Sequence, residues 1–180
     1  MNPAVQRDMD WQRRYYRQIE AILRSLAHTM VDFRIATDDE DMLRATDFVI
    51  QVEANATVAG RMRRLVSSTG QILYKRDLTL RLTRPSGIST EEQKILAGWA
   101  RWYLYIWTDH KEQIAEWIFV DLKEMRKKWS TLLRFSIIKP NHDGSSTFRC
   151  IPVAALDQEA CLIHWYQPQI NLPFPTVDKI

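Results

Sequence analysis

A chain of 180 residues, 46% hydrophobic and 26% charged, has the make-up of one globular domain with room for a sizeable core. Its net charge of +3 admits an anionic partner but falls short of the dense basic signature of a dedicated nucleic-acid binder. Cys150 and Cys161 form neither a metal-type pair nor a disulfide framework, and no apolar run reaches membrane-spanning length, so a soluble, unexported protein in a reducing cytoplasm is expected.

The first element is a helix over about residues 4–30. Val5, Met9, Tyr16, Ile19, Leu23, Leu26 and Met30 recur three or four apart, with Gln12 as the polar interruption, and give one apolar stripe. Arg13, Arg17 and Arg24 lie on its solvated flank. The acidic stretch Thr37 to Asp41 suits a loop or a helix start, where carboxylates meet the positive end of the helix.

From Thr46 to Leu82 the pattern changes to period two. Phe48, Ile50, Val52, Val58, Met62, Leu78, Leu80 and Leu82 fall on one side. Asp47, Gln51, Glu53, Thr57, Arg61, Arg63, Asp77, Thr79 and Arg81 fall on the other. Reversals near Asn55 and over Ser67 to Gly70 make this a three-stranded antiparallel meander.

Arg84-Pro85-Ser86-Gly87 ends the third strand, and Ser89 with Glu92 reads as a capping box. The helix so opened runs to about Trp107 and buries Ile95, Leu96, Trp99, Trp102, Tyr103 and Ile106. The apolar run Ile114 to Val120 is a central strand, and Asp121 caps a second helix carrying Leu122, Met125, Trp129 and Leu132. Asn141 to Gly144 is a turn, and Thr147 to Ile151 is a last strand at a sheet edge. Residues 1–166 are read as one α+β domain: a mixed, mainly antiparallel sheet of about four or five strands with helices mostly on one face. Residues 167–180, with Pro168, Pro173 and Pro175, form an extended tail, and Trp165 and Tyr166 before it are candidates for an exposed contact.

Of the chemistry-bearing residues, Arg61, Arg63 and Arg81 share a side by parity, with Lys75 in phase. Guanidinium groups grip phosphate or carboxylate in a bidentate manner, so these four, positioned by Asp47 and Asp77, are the candidate binding set for an anionic macromolecule. The plainer alternative is that the arginines pair with Asp47, Glu53 and Asp77 on neighbouring strands. Phosphate loops, dinucleotide fingerprints and nucleophile elbows are absent, and the four histidines stand far apart.

The order helix, three strands, helix, strand from Val5 to Val120 resembles the core of the PD-(D/E)xK nuclease superfamily. That resemblance implies a site in which carboxylates hold magnesium or manganese to activate water. Asp47 matches the first acid of the motif. At the second position stand Arg61 and Arg63 instead of a ligand, so a nuclease site would need displaced residues: Asp47, Glu53, Asp77 and Lys94, with Glu91 and Glu92 nearby. Apart from that case, no cofactor is expected.

A closer resemblance is carried by Thr46-Asp47-Phe48, Arg61-Met62-Arg63, Arg84-Pro85-Ser86-Gly87, Thr90-Glu91, Lys94-Ile95, Gly98-Trp99, Trp102-Tyr103 and Asp121-Leu122-Lys123. Over most of its length the chain is similar to a group of uncharacterised phage and prophage proteins. This implies a mobile-element origin and the cytoplasm of a bacterial host. The expected function is therefore that of a non-enzymatic accessory protein. It would bind nucleic acid, or a host protein or nucleoprotein complex for nucleic-acid handling or defence, through the arginine face. A metal-dependent nuclease and a self-associating structural subunit are the alternatives.

Overall fold

In a computed structural model of the protein, the described residues are 10–11, 13–26, 32–37, 40, 48–51, 55–65, 76–83, 88–141 and 144–167. Their elements begin with helix α1 (Tyr16–Leu26) and strands β1 (Asp32–Ile35), β2 (Phe48–Gln51), β3 (Asn55–Arg64) and β4 (Asp77–Arg81). Next come α2 (Glu91–Leu96), β5 (Trp102–Thr108), β6 (Ile114–Asp121), α3 (Leu122–Lys127) and α4 (Trp129–Phe135). The last are β7 (Ile137–Pro140), β8 (Thr147–Pro152), α5 (Val153–Gln158) and β9 (Leu162–Tyr166).

The strands form two sheets, one of six in the order β1-β2-β3-β5-β6-β9 and one of three in the order β4-β8-β7. Every pairing is antiparallel except β3 with β5, which is parallel and so requires a long crossover. The result is a mixed α+β fold in which antiparallel pairing dominates.

Alternation along the central strands builds a core on each face of the large sheet. Phe48, Ile50, Val58, Met62, Leu104 and Ile106 turn to one side and bury Ile19 and Leu23 of α1. Ala59, Tyr103, Tyr105 and Trp107 turn to the other, where Leu78, Leu80 and Ile151 of the small sheet join Ile95, Leu122, Leu132 and Leu156 of α2 to α5. Between α1 and the sheet a cavity of about 10 Å³ lined by Tyr16, Ile19 and Phe48 has room for a water molecule and no more. Among the described residues no helix is long and apolar enough to cross a membrane.

Several expectations need correction. The Thr46 to Leu82 stretch is not a three-stranded meander: β2 and β3 pair as expected, but β4 leaves for the second sheet and takes Leu78 and Leu80 into the other core. Among the described residues, two sheets of six and three strands stand where one of four or five was expected.

The helix expected to reach Trp107 stops at Leu96. Gly98, at φ +87°, accepts the left-handed conformation that closes a helix, and its N–H donates to the Ile95 carbonyl at 3.0 Å. Trp102 to Thr108 is then the centre of the large sheet, a run of aromatic and β-branched residues buried on both faces between β3 and β6. The capping box lies one residue later than expected, with Thr90 and Gln93 satisfying each other's amides.

Thr147 to Pro152 occupies the middle of the small sheet, not an edge. Trp165 and Tyr166 belong to β9. The Trp165 indole Nε1 donates to Glu116, a nearly fully buried carboxylate on β6, at 2.8 Å. Glu116 also receives Arg76 Nε at 2.7 Å and Gln167 Nε2 at 3.3 Å. Asp121 caps α3 as expected, accepting the amides of Lys123 and Glu124 while Arg101 grips both its oxygens at 2.6 and 2.9 Å. Burial opposes the charge on Asp121, but those amides and Arg101 together hold its carboxyl below the usual range. The expected tail, from Pro168 onward, lies outside the described residues.

Candidate functional site

Arg61 and Arg63 are two apart on β3, and both turn toward the small sheet, as period two requires. Facing them is Phe148 on β8, whose partners across the small sheet are Arg81 on β4 and Lys139 on β7. The Cζ atoms of Arg61, Arg63 and Arg81 stand 5.3, 5.3 and 5.5 Å from the centroid of the Phe148 ring. Three cations therefore surround one aromatic ring. Each gains about 0.5–1 kcal/mol from the ring quadrupole, while the three repel one another.

Glu91, in the first turn of α2, enters this cluster from the side. It accepts hydrogen bonds from the Arg61 guanidinium and the Tyr103 hydroxyl, and from the Arg81 backbone N–H at 3.2 Å. Arg61 also donates to the Thr79 carbonyl at 3.2 Å, and its side chain keeps only 19% exposure. Burial disfavours the Arg61 charge, but Glu91, Tyr103 and Tyr105 together outweigh it and hold the guanidinium protonated, above its ordinary value. Burial, and then Glu91, push the Tyr103 hydroxyl well above the usual tyrosine value, which keeps it a donor.

A second chain of bonds supports Arg63. Its Nε donates to the Tyr105 hydroxyl at 3.2 Å, and that hydroxyl shares a 2.7 Å hydrogen bond with Thr79. The side chains that position the arginines therefore come from β4, β5, β8 and α2. This is the cleft between the two sheets, with Arg63 and Arg81 partly open to solvent.

The three arginines stand around one ring, but they were expected on one plane of one sheet and do not share one: Arg61 and Arg63 belong to the large sheet and Arg81 to the small one. Asp77 lies on the same side of the small sheet as Arg81, at its other end, opposite Pro152. Lys75, Asp47 and Glu53 lie outside the described residues. Of the displaced nuclease set, Asp77 is on β4 and Lys94 is buried on α2. Glu92 is occupied by Arg149 at 2.7 Å. Among the described residues no group of three or more histidines, cysteines or carboxylates is placed to hold a metal ion.

Sequence reasoning did not single out Phe148, Tyr105 or Thr79. Thr79 was legible, since it alternates in phase with Arg81. Phe148 and Tyr105 carry no local mark of their role, because sheet pairing and cross-sheet packing alone bring them to the cluster. Comparison of the chain with protein-family models gives no match, and comparison with curated proteins gives none either.

Proposed function

We propose that the protein is a non-enzymatic accessory protein of a phage or prophage that binds nucleic acid through its phosphates at the cleft between the two sheets. The observation that carries this reading is the convergence of Arg61, Arg63 and Arg81 on the Phe148 ring. Holding three guanidinium groups together costs repulsion that a polyanion would relieve. Their planar forks match phosphate oxygens in geometry as well as charge. In this reading Glu91 fixes Arg61 as the rigid member, and Arg63 and Arg81 meet the ligand.

Fluorescence anisotropy with labelled single- and double-stranded DNA over a salt series tests the reading. Affinity should fall steeply with salt, and Arg63→Ala and Arg81→Ala should each flatten the log–log slope by about one phosphate contact. DNA cleavage with magnesium or manganese that disappears with chelator would replace this reading with the nuclease one. Salt-independent affinity, or none, would remove it.

A further inference from the structure

Strand β7 is the outer strand of the small sheet, and among the described residues it pairs with β8 alone. Along its whole length its side chains are exposed, including Ile137 at 52% and Ile138 at 55%. The helix that runs into it, α4, ends with Leu133 and Phe135 exposed as well. An open edge lined with large apolar side chains is what a protein normally blunts, because its free backbone groups template a further strand.

The ladder shows which backbone groups are open. Asn141 N–H donates to the Ser146 carbonyl at 2.7 Å, which makes that pair a hydrogen-bonded one. Antiparallel alternation then directs the backbone of Lys139 and Ile137 to β8 and that of Ile138 and Pro140 outward. Thr147, the partner of Pro140, agrees: its carbonyl accepts from Leu82 N–H at 2.8 Å, on the β4 side. The open edge therefore offers the Ile138 N–H and the carbonyls of Ile138 and Pro140. Proline at the outward position removes a donor and confines pairing to a short register.

Charge identifies the occupant. Lys139 is exposed on the edge itself, on the same side of the small sheet as Arg81, and Arg134 is exposed in the last turn of α4. A second copy of this chain would bring like charges to the same edge. An extended segment with carboxylates beside Lys139 and apolar side chains beside Ile138 would satisfy both faces. We propose that β7 is a strand-addition site for a partner protein, taking an extended segment in which apolar residues alternate with acidic ones. Lys139 pairs with Phe148, so this edge borders the arginine cluster, but strand addition uses the outward backbone of Ile138 and Pro140 and does not depend on nucleic-acid binding.

The test uses the full chain and a labelled peptide of about eight residues alternating glutamate with valine. Anisotropy should report binding, and hydrogen exchange should report new protection at the Ile138 amide. Lys139→Glu should weaken that binding about tenfold and improve binding of the same peptide with lysine in place of glutamate. Because Lys139 is exposed, the substitution leaves the fold intact.

Four results would overturn the proposal. One is binding of the lysine peptide to the unaltered protein as tightly as the glutamate peptide, and another is equal binding of a backbone N-methylated peptide. A third is a dimer in sedimentation that itself protects the Ile138 amide, assigning the edge to a second copy. The last is protection of that amide by DNA where the peptide gives none.

Discussion

Glu91 carries two obligations at once, neutralising a half-buried guanidinium and accepting a buried tyrosine hydroxyl. Replacing it with glutamine keeps the shape but removes the charge, so Arg61 is left in a poorly solvated position with a weaker acceptor. Glu91→Gln should cost about 2–3 kcal/mol in urea denaturation, characteristic of a lost hydrogen bond to a charged group. Arg24→Ala, which breaks an exposed i,i+4 pair with Glu20, should cost less than about 0.5 kcal/mol. Asp121 shows the same contrast at a helix end. Asp121→Ala should remove about 1 kcal/mol by uncapping α3, together with whatever the Arg101 fork adds.

The sign of the pH dependence follows from the lowered carboxyl of Asp121. The unfolded carboxyl, near 3.9, takes a proton before the folded one does. Its contribution is complete above that value and disappears as pH falls through the lower folded value. Acid titration of stability should therefore be flatter in Asp121→Asn than in the unaltered protein. At the alkaline end the raised Tyr103 hydroxyl acts the other way: its contribution is complete below about 10 and is lost as pH rises through the higher folded value.

At the scale of elements, the informative case is the run from Glu91 to Thr108. Trp99, Trp102, Tyr103 and Ile106 recur at helical spacing, yet only the first six residues of this run are helical. Spacing alone was ambiguous there, because a strand buried on both faces shows no alternation to contradict a helix. Gly98 was the discriminating residue, placed just after the last turn. An added Cβ there meets nothing within 4 Å, so the penalty for Gly98→Ala is conformational and not steric. It should be about 1–2 kcal/mol, readable as a lowered urea midpoint with an unchanged m-value.

Where the local pattern was unambiguous it was legible: β2 and β3 follow from alternation, β6 from its continuous apolar run, and the start of α3 from the Asp121 cap. The split of β4 from β3 was not, since two strands in phase along the chain need not share a sheet. The candidate site inherits that limit. Parity put the three arginines on one side, but only tertiary pairing brought Phe148 and Tyr105 to them.

For the whole molecule, the parallel β3–β5 pairing is the organising event. A crossover that contains β4 and α2 joins those strands, and β5 and β6 lie buried on both faces. Amide exchange should be slowest in β5 and β6 and much faster in the outer strands β1 and β7, since opening the centre requires both cores to separate.

The buried Glu116 adds a consequence for how the chain is made. Its carboxylate lies in β6, while two of its three donors, Trp165 and Gln167, come from the stretch that pairs outside β6 more than forty residues later. Among the described residues, that acid has only Arg76 to answer it during vectorial synthesis until the β9 stretch clears the ribosome. A nascent chain halted before Leu162 should thus stay soft at one flank and yield to protease, then harden abruptly once Gln167 emerges.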